Sequence, residues 1–351
     1  MEKILDRSIQ KDTHLIDALI QMGASKCKSL FVFEGKHFEG LLTVGNIQRA
    51  IIKNHSLSSP VSDVLEKDNK RYATTHDSLD SIKRLMYRVG MECMPIVDDQ
   101  GDLVDVKFWE DFFGPDQKPV RSKIDIPVVI MAGGKGTRLR PITNVIPKPM
   151  IPIGQRTILE EILNQFEGIG CNKFFMSVNF KVDILKFYLD GLDKKYNIEF
   201  FKEDKPLGTI GSVSMLKGKI QTPFFVSNCD ILIDQDYRDV YDYHISNSND
   251  LTIVSALKHY KIPYGVIEAG ENGLLTDIKE KPDVTYMINT GVYILNPELI
   301  DEIPQGEFFH ITQLMEKVKC RGGRIGCFPV AEDSWRDMGE WPEYLKMINI
   351  R

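Results

Sequence analysis

The sequence contains no apolar run close to the roughly 20 residues that a membrane-spanning helix requires. Its first twelve residues, MEKILDRSIQKD, are broken up by charges and do not have the pattern of a signal peptide. The six cysteines lie far apart and include no Cys-x-x-Cys pair, which predicts reduced thiols in the core rather than disulfides or metal ligands. These absences predict a cytoplasmic protein that has no membrane partner.

Clusters of positive charge are also missing. The 44 lysines and arginines are spread among 50 aspartates and glutamates, and the net charge is −6. Proteins that bind nucleic acid or an anionic membrane concentrate basic residues on one face or tail, so we expect neither partner. With 351 residues, 42% of them hydrophobic, the chain is long enough for two or more ordinary globular domains.

Residues 114–127 separate two parts of different character. This segment, GPDQKPVRSKIDIP, contains three prolines, one glycine and five charged residues, and it has little apolar periodicity. Such a composition is typical of a linker. We therefore predict one domain at residues 1–113 and a second at residues 128–351.

The first domain carries an internal duplication. Residues 29–51 and 93–113 each contain an apolar strand, a polar turn, a second strand and a helical end, and an amphipathic helix precedes each copy. This repeated β-α-β-β-α unit of about 55 residues resembles a tandem pair of CBS modules, an α+β arrangement. The resemblance implies a regulatory or dimerising domain and favours a homodimer.

Many CBS pairs hold adenosine nucleotides through a Ser/Thr-x-x-Asp motif at the end of the second strand. The first copy has Thr43-Val44-Gly45-Asn46 at this place, and the second has Val106-Lys107-Phe108-Trp109, which lacks the motif. A regulatory nucleotide and a purely structural or dimerising role both remain open.

Strands and helices alternate in the second domain. We predict strands at 128–131, 174–178, 198–201 and 223–226, with helices at 157–166, 182–189 and 212–216. Strands separated by helices of this length imply βαβ crossovers and a Rossmann-like, mostly parallel mixed sheet, so the fold class is α/β. Ligands of such sheets bind beyond the carboxyl ends of the strands.

The first of these strands runs directly into a glycine-rich loop, VVIMAGGKGTRLRP at residues 128–141. Glycines at this place let backbone N–H groups approach a bulky anion. The loop is neither of the two common phosphate motifs: the Walker A spacing is missing, and Leu139 stands where a dinucleotide fingerprint needs its third glycine. A less common phosphate loop is predicted.

The longer stretch AGGKGTRLRPITNVIPKPMIPIG, residues 132–154, resembles the signature of the sugar-1-phosphate nucleotidyltransferases, which have a GT-A-like fold. These enzymes join a nucleoside triphosphate to a sugar 1-phosphate and release pyrophosphate. The resemblance implies catalytic roles for Arg138, on the triphosphate, and Lys148, on the α-phosphate. It implies a nucleotide-binding role for the loop residues Ala132, Gly133, Gly134, Lys135, Gly136 and Thr137.

Two cations do not neutralise two polyanions, so Mg²⁺ is expected as cofactor. Asp230, in FFVSNCDILI, and Asp337, in WRDMGEW, match the metal-binding aspartates of the family. The attacking group is already an ionised phosphate oxygen, so catalysis needs positioning and charge neutralisation rather than a strong base. We therefore predict structural roles for His244, His259 and His310.

The segment KEDKPLGTIGSV, residues 202–213, matches the base-reading segment of the family and implies nucleotide contacts from Glu203, Pro206, Gly208 and Thr209. A carboxylate only accepts hydrogen bonds. Glu203 therefore complements the N1–H and 2-amino donors of guanine and favours GTP. The alternative is that Glu203 points to solvent, which leaves UTP, CTP or dTTP open.

The resemblance implies sugar-phosphate binding by Gly265, Glu280, Lys281 and Asn289. A CBS pair ahead of such an enzyme resembles the glucosamine-1-phosphate guanylyltransferases of legionaminic acid synthesis, so glucosamine 1-phosphate is the favoured sugar and mannose 1-phosphate the alternative. A different class, a catalytically silent nucleotide-sensing subunit, should have lost Arg138, Lys148 or Asp230, and all three are present.

Overall fold

The computed structural model describes residues 2–66, 71–114, 122–179 and 181–349. It divides the chain into two units, Met1–Ser122 and Lys123–Arg351. The boundary falls within the segment 114–127, and residues 115–121 of that segment lie outside the described residues.

The first unit repeats one α/β topology. Its elements are α1 (Glu2–Leu5), β1 (Ser8–Gln10), α2 (Leu15–Ala24), β2 (Ser29–Glu34), β3 (His37–Thr43), α3 (Val44–Ile52), β4 (Ala73–Thr74), α4 (Leu79–Val89), β5 (Cys93–Val97), β6 (Leu103–Phe108) and α5 (Trp109–Phe113). Two three-stranded sheets form, in the orders β1-β2-β3 and β4-β5-β6. In both sheets the first pair is parallel and the second antiparallel. The predicted β-α-β-β-α duplication is thus present in the structure.

At the ends of β3 and β6, the structure pairs different residues of the two repeats from those that the sequence comparison paired. Thr43 precedes α3 and its backbone N–H donates to Asn46 Oδ1 at 2.9 Å. Phe108 precedes α5 and its backbone N–H donates to Asp111 Oδ2 at 2.7 Å. The counterpart of Thr43–Asn46 is therefore Phe108–Asp111. The counterpart predicted from the sequence, Val106–Trp109, begins two residues before the correct one. The acidic residue exists in the second copy, but a phenylalanine replaces the hydroxyl residue.

The second unit contains the strands β7 (Val128–Ala132), β8 (Pro152–Ile153), β9 (Arg156–Thr157), β10 (Phe174–Val178), β11 (Ile198–Lys202), β12 (Phe224–Asn228), β13 (Ile231–Ile233), β14 (Leu251–Lys261), β15 (Val266–Ala269), β16 (Leu275–Lys279), β17 (Asp283–Leu295), β18 (Ile325–Ala331) and β19 (Trp335–Asp337). Its helices are α6 (Ile158–Gly168), α7 (Val182–Gly191), α8 (Tyr237–Ser246), α9 (Ile311–Cys320) and α10 (Trp341–Asn349). The segment predicted as a helix at 212–216 forms only a 3₁₀ helix, Gly211–Leu216.

Seven strands form the main sheet, in the order β11-β10-β7-β12-β17-β14-β18. Every neighbouring pair is parallel except the two that involve β17, which runs antiparallel to both β12 and β14. The predicted mostly parallel mixed α/β sheet is confirmed. The strands β11, β10, β7 and β12 end at the same edge, so the residues that follow them are brought together.

The core of this unit lies on both faces of the sheet. The side chains that were predicted to form the apolar face of the helix at 157–166 are all buried in α6, as Leu159, Ile162, Leu163 and Phe166. Phe166 stacks on Tyr237 of α8 with ring centroids 4.6 Å apart. Phe225 of β12 packs against both rings, so this packing holds β12 and with it the start of the loop that follows β12.

The six cysteines were predicted to lie in the core, and four of them do. All six cysteines are free thiols, but only Cys27, Cys93, Cys171 and Cys229 are buried, whereas Cys320 and Cys327 are exposed. Burial raises the pKa of Cys171 and of Cys229 to about 12, so these thiols are unreactive. Across the described ranges, no helix combines the length and the apolar character needed to cross a bilayer.

A buried histidine ties α8 to the sheet. The neutral ring of His244 faces Thr252 Oγ1 at 2.9 Å through Nδ1 and Asn296 Oδ1 at 3.1 Å through Nε2. Asn296 donates through its own amide nitrogen to Asn249 O, so its Oδ1 must accept, and His244 Nε2 carries the proton. Burial lowers the pKa of His244 below its ordinary value of 6.5. This agrees with the structural role predicted for His244.

The stability of the protein is therefore expected to fall as the pH drops below about 6.5. Because the pKa of His244 is lowered in the folded chain, the unfolded chain binds more protons once the pH drops below about 6.5. The contribution of His244 to the free energy of unfolding is therefore complete above this pH and decreases below it. One proton contributes at most about 1.4 kcal/mol per pH unit. The free energy of unfolding, measured with urea at several pH values between 5 and 8, should depend less steeply on pH in His244→Gln than in the wild type. The exposed His55→Gln should keep the pH dependence of the wild type. If all three proteins show the same pH dependence, His244 is not the cause of the loss of stability at low pH.

Candidate active site

The glycine loop at the end of β7 folds back on the chain that follows it. Gly136 has a φ of +62°, and a Cβ there would come within 2.9 Å of Thr143 Cγ2 and 3.2 Å of Lys148 Cβ. Thr143 Oγ1 donates to Gly136 O at 2.8 Å and closes the loop. Only glycine combines that backbone conformation with so close an approach. The loop thereby sets Lys148 directly beside Gly136.

Asp230 and Asp337 come from distant parts of the sequence and meet through a short strand pair. β13 and β19 are antiparallel with Ile231 opposite Asp337, and Met338 N donates to Asp230 O at 2.9 Å. Lys148 Nζ donates to Asp230 Oδ2. The Lys148 and Asp230 side chains are 11% and 9% exposed, so this ion pair is largely removed from water.

Gly339 marks the point on which these three charged groups converge. A Cβ on Gly339 would lie 2.7 Å from Asp230 Oδ2, 2.7 Å from Asp337 Oδ1 and 2.9 Å from Lys148 Nζ. Gly339 N also donates to Asp337 Oδ1 at 2.7 Å. Sequence reasoning missed this residue, although the Asp-x-Gly spacing in WRDMGEW was a usable signal.

The carboxylate pair is suited to a divalent cation. Burial, and then the charge of Asp230, raise the pKa of Asp337, and a bound cation would relieve that cost. In the part of the chain that the structure describes, no three or more His, Cys, Asp or Glu side chains form a metal cage. Mg²⁺ is commonly held by one or two carboxylates together with substrate phosphates, so two aspartates fit this ion.

Arg138 lies at the rim of the site. Its side chain is 57% exposed, and Nη1 donates to Glu340 Oε1 at 2.9 Å. Trp341 Nε1 donates to Arg140 O at 3.1 Å, so the start of α10 is joined to the loop on both sides of Leu139. An exposed ion pair contributes little free energy, and Arg138 is therefore free to exchange Glu340 for a phosphate. Gly134, Lys135 and Thr137 are also exposed along this rim.

Glu203 is buried, at 5% exposure, so the alternative that it points to solvent is wrong. Its carboxylate accepts from Leu207 N at 3.2 Å and from Ser177 Oγ. A Cβ on Gly133 would lie 2.9 Å from Glu203 Oε1, so the carboxylate is directly beside the first loop glycine. Pro206 of the same segment is exposed.

The rest of the predicted base-reading segment is joined to α9. A Cβ on Gly208, whose φ is +82°, would lie 2.5 Å from the backbone oxygen of Phe309. Thr209 Oγ1 accepts from Ile311 N at 2.9 Å. Gly208 and Thr209 thus lie against the start of α9, whereas Glu203 lies against the glycine loop.

A cavity of about 290 Å³ joins several of these groups. Five of the residues predicted from the sequence line it: Arg138, Thr209, Asp230, Asn289 and Asp337. Residues that sequence reasoning did not assign to a site line it as well, namely Asn228, Ile231, Thr290, Gly291, Tyr293, His310, Ile311, Thr312 and Trp335. Nothing in the local sequence around these residues indicated a shared cavity.

The other predicted sugar-binding residues form a separate exposed group. Lys281 Nζ lies 3.9 Å from Glu280 Oε1, and the two side chains are 62% and 74% exposed. A Cβ on Gly265 would lie 3.1 Å from Glu280 Oε2. Of the four residues predicted for the sugar phosphate, Asn289 alone belongs to the described lining of the cavity.

The chain is similar to known proteins over most of its second unit. The model of the Nucleotidyl transferase family matches residues 127–350. The mannose-1-phosphate guanyltransferase of Aspergillus oryzae is 31% identical over 226 residues, which cover 62% of each chain. The mannose-1-phosphate guanylyltransferase catalytic subunit beta of Dictyostelium discoideum is 33% identical over 232 residues, 63% of each chain. This chain thus spans less than two thirds of the length of these relatives.

Among solved structures, HddC from Yersinia pseudotuberculosis complexed with GMP-PN is similar, with a TM-score of 0.50 and 26% identity. The match covers 64% of this chain and 99% of HddC. The aligned part corresponds in size to the second unit, which carries the glycine loop and the aspartate pair. The chain therefore belongs to the nucleotidyl transferase family, as the signature at residues 132–154 predicted.

Proposed function

We propose that the protein is a sugar-1-phosphate guanylyltransferase, which converts GTP and a sugar 1-phosphate to a GDP-sugar and pyrophosphate. The observation that carries the proposal is the convergence of Lys148, Asp230 and Asp337 on one point beside the glycine loop. The names of the two mannose-1-phosphate relatives and the GMP-PN complex of HddC support the same reaction class.

In the proposed reaction an oxygen of the sugar phosphate attacks the α-phosphorus of GTP, and the bond to the leaving pyrophosphate breaks. The attacking oxygen is already ionised, so the residues act by positioning and by neutralising charge. Lys148 holds the α-phosphate, and the N–H groups of Gly133–Thr137 hold the remaining phosphates. Arg138 leaves Glu340 and neutralises the departing pyrophosphate. Mg²⁺, held by Asp230 and Asp337, supplies further charge neutralisation when bound.

The base preference follows from Glu203. A carboxylate has about four acceptor sites, and Leu207 N and Ser177 Oγ use two of them. The remaining sites complement the adjacent N1–H and 2-amino donors of guanine, whereas uracil would place its carbonyl oxygens against a negative charge. Its position beside Gly133 supports a contact with a nucleotide that lies on the loop.

Glu203→Gln should weaken the selectivity for GTP. Glutamine keeps the shape but loses the charge, and a hydrogen bond to a charged group is worth about 1.5–3 kcal/mol. We therefore expect kcat/KM for GTP to fall by about 10- to 100-fold while that for UTP stays the same or rises. Glu199→Gln, an exposed change on β11, the strand that ends just before Glu203, serves as the control. If the ratio between GTP and UTP is unaltered in Glu203→Gln, the carboxylate does not read the base.

Two sugars are supported by different observations. The named relatives support mannose 1-phosphate. Glucosamine 1-phosphate, as in legionaminic acid synthesis, is supported only by the architecture in which a CBS pair precedes the enzyme. The repeated topology of the first unit is consistent with a CBS pair that dimerises the protein or regulates it. If the first unit binds a regulatory nucleotide, we propose as its site a cleft of about 580 Å³ that is lined by residues of both repeats, from His37 to Gly101.

The test of the proposed function is pyrophosphate release with Mg²⁺, measured for GTP, UTP, CTP and dTTP against mannose, glucosamine, glucose and N-acetylglucosamine 1-phosphates. Release with GTP and one sugar supports the proposal and names the substrate. Release with UTP, CTP or dTTP instead of GTP would show that the proposed preference for guanine is wrong. If no pair of substrates releases pyrophosphate although the protein binds GTP tightly in a titration, the proposed activity is wrong and a nucleotide-sensing subunit is favoured.

A further inference from the structure

The cavity of about 290 Å³ is lined by groups of two kinds. Asp230, Asp337 and Arg138 are its charged groups, and the proposed reaction takes place beside them. Thr209, His310 and Asn289 line the same cavity with neutral hydrogen-bonding groups. The loop residues 133–137 and Glu203 do not belong to this described lining. The nucleotide is therefore assigned to the loop side, and the cavity is left for the other substrate.

Asn289 presents a hydrogen-bond donor to the cavity. Its Oδ1 accepts from Gly291 N at 3.1 Å and from Tyr293 OH at 2.8 Å. A backbone N–H can only donate, so the amide oxygen must face Gly291 and the amide nitrogen must point away from it. Tyr293 is buried, at 5% exposure, which keeps this orientation in place. Among the residues that the structure describes, the amide nitrogen of Asn289 has no hydrogen-bond partner, and its N–H groups suit an oxygen acceptor such as a sugar hydroxyl.

Thr209 and His310 are two further neutral groups that line the cavity, and they contact each other. Thr209 Oγ1 accepts from Ile311 N at 2.9 Å, so its hydroxyl hydrogen remains available as a donor. His310 Nδ1 lies 3.4 Å from Thr209 Oγ1, and the His310 ring packs edge-on against Phe308 with centroids 4.7 Å apart. In the described part of the chain, Nε2 of His310 has no hydrogen-bond partner. The ring is thus supported on one side and open to the cavity on the other.

We propose that His310, supported by Thr209, is a specificity-determining residue that hydrogen-bonds to ring hydroxyl groups of the sugar 1-phosphate. The inference rests on the proposed function and deepens it. The phosphate of that substrate must reach the Lys148–Asp230–Asp337 group to attack, so its sugar ring extends into the remainder of the same small cavity. Its volume is at the lower end of the range for small-molecule sites, which suits a monosaccharide. Thr209, predicted to bind the nucleotide, is reassigned to the sugar side.

The experiment compares His310→Ala and His310→Gln with His259→Ala. His259 makes a similar contact, Nδ1 to Thr285 Oγ1 at 2.8 Å, but it is not among the residues that line the cavity. We expect His310→Ala to raise KM for the sugar 1-phosphate by about 10-fold, the effect of one lost hydrogen bond. KM for GTP should stay within about twofold, and the kcat/KM ratio between mannose and glucose 1-phosphates should move towards one. His310→Gln should recover part of the loss, and His259→Ala should match the wild type.

Calorimetric titration of the sugar 1-phosphates separates this inference from the proposed function. If the wild type binds a sugar 1-phosphate and His310→Ala binds it about 10-fold more weakly, the inference stands even where no pyrophosphate is released. If the two proteins bind it equally, or if His310→Ala raises KM for GTP as much as KM for the sugar, the inference is overturned. A wild type that neither binds nor converts any sugar 1-phosphate would contradict both.

Discussion

Asp230→Asn and Asp337→Asn are each expected to lower pyrophosphate release by about 10²- to 10³-fold, the usual cost of removing one group that neutralises charge in a transition state. Both changes keep the side-chain shape and remove a carboxylate from the pair proposed to hold Mg²⁺. Steady-state rates at saturating GTP and sugar 1-phosphate, over a range of Mg²⁺ concentrations, measure the effect. Either variant should need more Mg²⁺ than the wild type to reach half of its own maximal rate.

The two variants differ in what they do to stability, and this difference is the control. Asp230→Asn leaves Lys148 without its charged partner in a largely buried position, so its thermal midpoint should fall. Asp337→Asn removes a carboxylate whose pKa is raised by burial and leaves the Lys148–Asp230 pair intact, so its thermal midpoint should stay at or above that of the wild type. Asp234→Asn, an exposed change next to β13, should leave rates unchanged. A fully active Asp337→Asn would show that the metal assignment is wrong.

Gly339→Ala is expected to lower the rate by about 10²-fold, because displacing catalytic groups by about 1 Å has effects of this size. The added methyl group would lie 2.7 Å from an oxygen of each aspartate and 2.9 Å from Lys148 Nζ, so all three side-chain ends must move. They are the ends of side chains rather than backbone, and the fold accommodates the movement. The expected signature is therefore a large loss of turnover with little change in the thermal midpoint.

Gly191→Ala provides the matched control for this prediction. Gly191 ends α7, and a Cβ there would meet no atom within 4 Å. Its rate and its thermal midpoint should both stay close to those of the wild type. A Gly339→Ala protein that turns over normally would mean that the convergence of the three charged groups is not needed for catalysis.

Much of the second unit could be predicted because its signals are local. The apolar runs of β7, β10 and β12 and the amphipathic pattern of α6 each lie within a few residues, and so do the glycines that follow β7. The segment at 212–216 shows the limit of this approach. Its apolar spacing suits a helix, but the segment forms only a 3₁₀ helix, and a Cβ on Gly211 would lie 2.7 Å from the backbone oxygen of Glu307, a residue distant in the sequence.

The convergence of distant residues could not be predicted in the same way. Asp230 and Asp337 meet because β13 pairs with β19 in one register, and a slip of one residue would turn the side chains to the other face. Glu203 is buried beside Gly133 because β11 and β7 end at the same edge of the sheet. Thr209 and His310 come together because the Gly208 segment packs on Phe309.

The amino-acid sequence by itself determined the class of this protein. The signature at residues 132–154 and the alternation of strands and helices specify the α/β sheet, the glycine loop and the two cations near it, since short motifs and periodicity are carried by neighbouring residues. Only the tertiary structure decided which of the candidate residues share a site. Strand register and close backbone packing join Lys148, Asp230, Asp337 and Gly339. They also place His310 in the cavity that the two aspartates line and leave Glu280 and Lys281 exposed, because such contacts depend on how distant segments pair.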